Sequence, residues 1–229
     1  MMGDEAGVVK TSEAGASTGR GGVTAGLVPY LTLAEIGYFG LVVLSAVDFV
    51  LLAATMSVDY SRSIPSTVAG AILSLTISVA WFQLGRKIGN SWFLATGISG
   101  AASAVLGLAP SLGSGVNPSD LYIIVIEIQA LVSLVYLVMQ VVAFFSAARA
   151  FQVMLFRYAG YLFVTTFVVT FVVGAVGVVA IASGTSQNWA TLGTYGVDYV
   201  LSAVTSMAAG IGFLRANGTF GLSNPSREA

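Results

Sequence analysis

Three carboxylates stand in long apolar runs: Asp48, Glu127 and Asp198. Asp48 precedes Met56, the end of the first run, by roughly two helical turns, and Glu127 and Asp198 follow Asp120 and Trp189 by roughly two turns or more. At 1.5 Å per residue all three fall roughly 10–14 Å below the same membrane boundary. No Lys or Arg shares that layer. Burying an ionised carboxylate without a partner costs several kcal/mol, so some of these acids are expected to be protonated or to share a cation. Two readings follow. The acids exchange protons or cations along a pathway, or they are neutral fasteners bonded to hydroxyls such as Ser45, Thr194, Tyr199 and Ser202 on neighbouring helices. Glu35 lies near the inner end of the first run, where headgroups can receive it, and Gln129 and Gln140 read as packing hydrogen bonds worth about 0.6 kcal/mol each.

Composition narrows the remaining chemistry. Of 229 residues 56% are hydrophobic and only 8% charged, against roughly 25% in soluble domains. So few charges cannot cover a water-facing surface, and the lipid bilayer is the expected partner for most of it. There is no cysteine and no histidine, which removes disulfides, Cys or His metal sites, imidazole-ligated haem and any Ser–His triad. No lysine lies in an apolar run, so a retinal Schiff base is not expected. The segment GISGAAS at 97–103 lies in an apolar helix and reads as close packing, not as a phosphate loop. No cofactor is expected, and no enzyme: acids alone could act as acid and base, but no substrate motif accompanies them. The net charge of −1 and the lack of a basic run argue against nucleic acid.

The elements that must carry these acids are helices. The expected fold is all-α: a polytopic integral membrane protein with six transmembrane helices in three hairpins. The runs are about Leu33–Met56, Ser66–Gly85, Ser91–Leu112, Asp120–Phe151, Ala159–Ala182 and Trp189–Leu214. Residues 1–25 read as a disordered cytoplasmic tail, 26–216 as the membrane domain and 217–229 as a short C-terminal tail. The tail lacks the compact apolar core of a signal peptide, so the first helix is expected to act as an uncleaved anchor. Arg86, Lys87, Arg149, Arg157 and Arg215 gather on one side, which places both termini in the cytoplasm of a cell-membrane protein. Tyr60, Trp81, Trp92, Tyr122, Tyr158 and Trp189 lie near helix ends and read as interfacial aromatics. On the third helix Gly97, Ser99, Gly100, Ser103, Ala104 and Gly107 form a small-residue face that another helix can approach closely.

An internal echo links three helix ends: SVAWFQLGR (78–86), VVAFFSAAR (141–149) and MAAGIGFLR (207–215). It suggests hairpins of one design, although apolar helices ending at an inner arginine also look alike for topological reasons alone. Around FQLGRKIGN and FFSAARAFQ the chain resembles small Gly-, Ala- and Val-rich archaeal membrane proteins whose function is unassigned. The resemblance implies a polytopic membrane protein and carries over no functional residue. The favoured function is a non-enzymatic scaffold or accessory subunit that packs helices three and five against membrane-protein partners or further copies of itself. The alternative is a small proton- or cation-coupled transporter or channel that uses Asp48, Glu127 and Asp198.

Overall fold

A computed structural model describes residues 26–55, 64–108, 120–184 and 187–221. They form six helices: α1 (Val28–Thr55), α2 (Ile64–Ile88), α3 (Ser91–Leu106), α4 (Asp120–Ala150), α5 (Met154–Ala182) and α6 (Gln187–Gly221). In lipid a spanning segment has no water to satisfy its peptide groups, so apolar runs of this length must be helical. Two turns are set by local chemistry. Gly89, at φ +73°, ends α2, and the Asn90 side chain accepts from the Trp92 and Phe93 amides at 2.9 and 3.4 Å to start α3. Gln152, at φ 56°, turns the chain between α4 and α5 and donates to the Arg149 carbonyl at 2.7 Å.

The helices close into a ring. Each packs on its sequence neighbours, and α6 returns to pack on α1. Neighbours run antiparallel, as their facing pairs show: Gly37 with Ile77 and Asp48 with Ser66 for α1 and α2, Gly97 with Phe82 for α2 and α3, Ser103 with Ser133 for α3 and α4. Phe145 with Tyr161, Thr166 with Thr205 and Asn217 with Thr32 close the remaining interfaces. All described helix ends bearing Arg86, Lys87, Arg149, Arg157 and Arg215 therefore lie at one end, the basic end.

The core sits at that end. Of the buried apolar side chains, all but Leu52 and Ala104 belong to one cluster built from the basic-end halves of the helices. Trp81, Phe144, Phe156 and Phe213 meet there, with ring centroids 5.8 Å apart for Trp81–Phe144, 5.3 Å for Trp81–Phe213 and 4.8 Å for Phe156–Phe213. The internal echo falls on this cluster. Its third position (Ala80, Ala143, Ala209) and its seventh (Leu84, Ala147, Phe213) are 0% exposed in all three copies, one i, i+4 stripe per helix turned into a common core.

The structure refines the sequence expectation in three places. Among the described residues five helices are long and apolar enough to cross a membrane; the sixth, α3, has 16 described residues that rise about 24 Å, against a hydrocarbon core of about 30 Å, and residues 109–119 after it lie outside the described residues. Trp81 is not interfacial but fully buried, its indole N–H donating to the Tyr38 hydroxyl at 3.1 Å. Trp92 and Tyr158 are exposed near the basic end, whereas Tyr60 and the side chains of Tyr122 and Trp189 lie outside the described residues, as do the tail at 1–25 and the last eight residues. Several helices also outrun their apolar stretches. α5 begins at Met154 and takes in Arg157, and α6 continues past Arg215 to Gly221, because hydropathy marks where lipid ends and not where backbone hydrogen bonding does.

Candidate functional site

On the far side of the aromatic cluster the ring borders a half-open cavity of about 290 Å³. Five helices line it, all except α3: α1 with Ser45 and Asp48, α2 with Ser74, α4 with Tyr136 and Gln140, α5 with Thr166, and α6 with Asp198, Tyr199, Ser202, Thr205 and Ser206. Leu41, Leu44, Ile77 and Phe163 supply its apolar wall. Among the described residues that line it, none is Lys or Arg.

Two of the three intramembrane acids meet here. Asp48 is 7% exposed and accepts from the Ser66 hydroxyl through both carboxylate oxygens, at 2.7 and 2.9 Å. Ser66 stands in the first turns of α2, so the antiparallel α1–α2 pairing brings it level with Asp48. Asp198 accepts from the Thr170 hydroxyl of α5 at 3.0 Å. Each carboxylate thus accepts a hydrogen bond from a hydroxyl on an adjacent helix, and each lines the same cavity. Glu127 is placed differently. It is exposed on α4 and does not line the cavity. Glu35 is half-buried on α1, toward the basic end.

The cavity floor is a polar relay into the core. The Tyr38 hydroxyl accepts from Trp81 Nε1 at 3.1 Å and from Gln140 Nε2 at 2.9 Å. Gln140 is 3% exposed, and its Oε1 is buried without a hydrogen-bond partner. An unsatisfied buried amide oxygen costs about 1–3 kcal/mol.

A second polar cavity, of about 280 Å³, lies between α2, α3 and α4. Ser74 and Tyr136 line both cavities. Gln129 and Ser103 belong to the second one, and Ser103 bonds Ser133 of α4 at 3.0 Å. The small-residue face of α3 is consumed inside the chain. A Cβ on Gly97 would stand 2.6 Å from the Phe82 amide nitrogen of α2, and one on Gly100 would stand 2.7 Å from the Tyr136 ring of α4. Ser99 bonds the Ala95 carbonyl of its own helix, and Gly107 caps α3.

Among the hydroxyls named as partners from sequence, Ser45, Tyr199 and Ser202 line the cavity, while Thr194 faces Gly177 of α5. Sequence reasoning passed over Ser66, Thr170 and Tyr136. The only available signal was that a hydroxyl must lie somewhere near a buried acid. Among the described residues no group of three or more acidic side chains is placed to hold a metal ion.

The chain matches no family model, no curated protein and no solved structure. Function must therefore be argued from the geometry alone.

Proposed function

We propose that this chain is a small, non-enzymatic membrane transporter or channel that moves a proton or small cation along the axis of its helical ring, with Asp48 and Asp198 as the exchanging groups. The observation that carries this is the shared cavity: two carboxylates, from α1 and α6, line one space whose described lining contains no Lys or Arg. Ionisable side chains inside a membrane bundle, turned toward an internal cavity, mark ion and proton paths. The accessory-subunit reading rested on short loops and absent cofactor ligands as well as on the small-residue face of α3, and that face packs on α2 and α4 within the chain.

In this reading α3 is the sixth crossing. It runs antiparallel along α2 from the basic end until Gly107 shares a cavity with Thr67, close to the start of α2. Six crossings put both termini on the basic side, the cytoplasm of a cell membrane.

The test is flux in proteoliposomes, with a pH dye and cation-selective indicators in the lumen. Asp48→Asn and Asp198→Asn should each reduce flux to background while the protein remains folded, and Glu127→Gln should leave it at the wild-type rate. Wild-type flux in both aspartate variants would end the proposal.

A further inference from the structure

We infer that Tyr136 of α4 is a door between the two polar cavities, and that a hydrophilic solute reaches Asp48 and Asp198 by way of the cavity between α2, α3 and α4; the inference rests on the transport reading above and adds its route. The rings of Trp81, Phe144, Phe156 and Phe213 fill the basic end of the bundle and are all fully buried. Access to the acids therefore comes from the other half of the ring. There the second cavity reaches Thr67, close to the start of α2, and Gly107, at the end of α3. Its lining of Thr67, Ser74, Ser103 and Gln129 is hydroxyl and amide, which water can wet. Ser74 and Tyr136 also line the acid cavity, whereas α3 does not reach it. The Tyr136 ring thus stands at the junction.

The surroundings of this ring leave it free to swing. A close-packed interior holds a ring still, but Tyr136 has open volume on both sides, about 280 Å³ and about 290 Å³. Its hydroxyl makes no hydrogen bond among the described residues, whereas that of Tyr38 is held by Trp81 and Gln140. An aromatic residue on a helix adopts either of two χ1 wells, so a second position of the ring is available in principle. The closed position depends on Gly100 of α3. A Cβ there would stand 2.7 Å from Cε2 and 3.2 Å from Cδ2 of the ring, so the ring edge lies against α3 where a larger residue would exclude it. In that position the ring bridges α4 and α3 and separates the second cavity from the acids.

The experiment uses the full chain in lipid nanodiscs, where both faces are open to reagent, and exploits the lack of native cysteine. Ala71→Cys places a thiol in the second cavity and Ser202→Cys places one in the acid cavity. Each is reacted with a cationic, lipid-insoluble methanethiosulfonate, and the rate is read by intact mass. With Tyr136 present, Ser202→Cys should react about tenfold or more slowly than Ala71→Cys, the effect of one modest added barrier. Adding Tyr136→Ala should bring Ser202→Cys up to the Ala71→Cys rate and leave Ala71→Cys unchanged. Tyr136→Phe, which keeps the ring, should behave as the wild type does. A Ser202→Cys rate that is the same with Tyr136 and with Tyr136→Ala overturns the inference, as does opening by Tyr136→Phe. Should Tyr136→Ala fail to fold, Ala71→Trp provides the second test. It fills the second cavity and should slow Ser202→Cys in an otherwise unaltered chain, and an unchanged rate would show that the acids are reached by another way. Flux with labelling that ignores Tyr136 would sink this inference and leave the transport reading standing; labelling controlled by Tyr136 without any flux would do the reverse.

Discussion

Ser66 holds Asp48 with a single hydroxyl that reaches both carboxylate oxygens, and this small group has a large structural burden. Ser66→Ala should leave a buried acid without that donor and cost about 1–3 kcal/mol. The loss would register as a lower unfolding midpoint in a detergent titration followed by circular dichroism, and an unchanged midpoint would mean that Asp48 is held by something else. Tyr38→Phe removes one acceptor from two donors, Trp81 and Gln140, and should destabilise by a similar amount with a shift in tryptophan emission. At this scale the sequence was legible only in part. Asp48 and Asp198 stood out because charge in an apolar run is rare, and the structure gives them one cavity. Glu127 carried the same signal and lies on an exposed face, because hydropathy reports depth along a helix and not its rotation about its axis. Gln140 read as a packing hydrogen bond, and it donates to Tyr38 of α1; its unpaired oxygen has no sequence signature.

Between elements, the tightest seam joins α2 to α3. Gly97→Ala would press a methyl group onto the backbone of Phe82 and Ser78, which cannot turn aside as a side chain can. It should cost about 1–3 kcal/mol by forcing the helices apart. Gly193→Ala, where nothing lies within 4 Å, should instead stabilise by about 0.5–1 kcal/mol through helix propensity. The pair, measured side by side, separates steric contact from propensity, and equal effects would mean that the seam is looser than described. Gly100→Ala acts on the site without touching a cavity acid: its methyl group would meet the Tyr136 ring, which stands between the two cavities. The number of helices and their order were readable from apolar runs and glycine or proline breaks. Their ends were not. Charged residues such as Arg157 and Arg215 stop a hydropathy window but leave backbone hydrogen bonding intact, so α5 and α6 extend through them.

For the molecule as a whole, the absence of native cysteine makes topology unusually direct to test. Lys87 sits at the basic end and Ser183 at the opposite turn, and both are exposed. In intact cells an impermeant maleimide should label Ser183→Cys at once and Lys87→Cys only after permeabilisation; the opposite pattern would overturn the proposed orientation. The ring itself could not be read from sequence, because closure depends on α1 meeting α6 across the whole chain length. Its two ends are unequal. The buried rings of Trp81, Phe144, Phe156 and Phe213 knot the helices together at the basic end, while outside that cluster Leu52 and Ala104 are the buried apolar groups among the described residues. Such a bundle is stiff at the knot and compliant above it. Lateral tension or a change in bilayer thickness would be absorbed by the loose half, where Asp48 and Asp198 stand. The protein should therefore feel the mechanical state of its membrane at the two carboxylates proposed as its exchanging groups. Flux compared across vesicles of graded acyl-chain length would show that sensitivity, and a flat response would mean that the far half is as rigid as the knot.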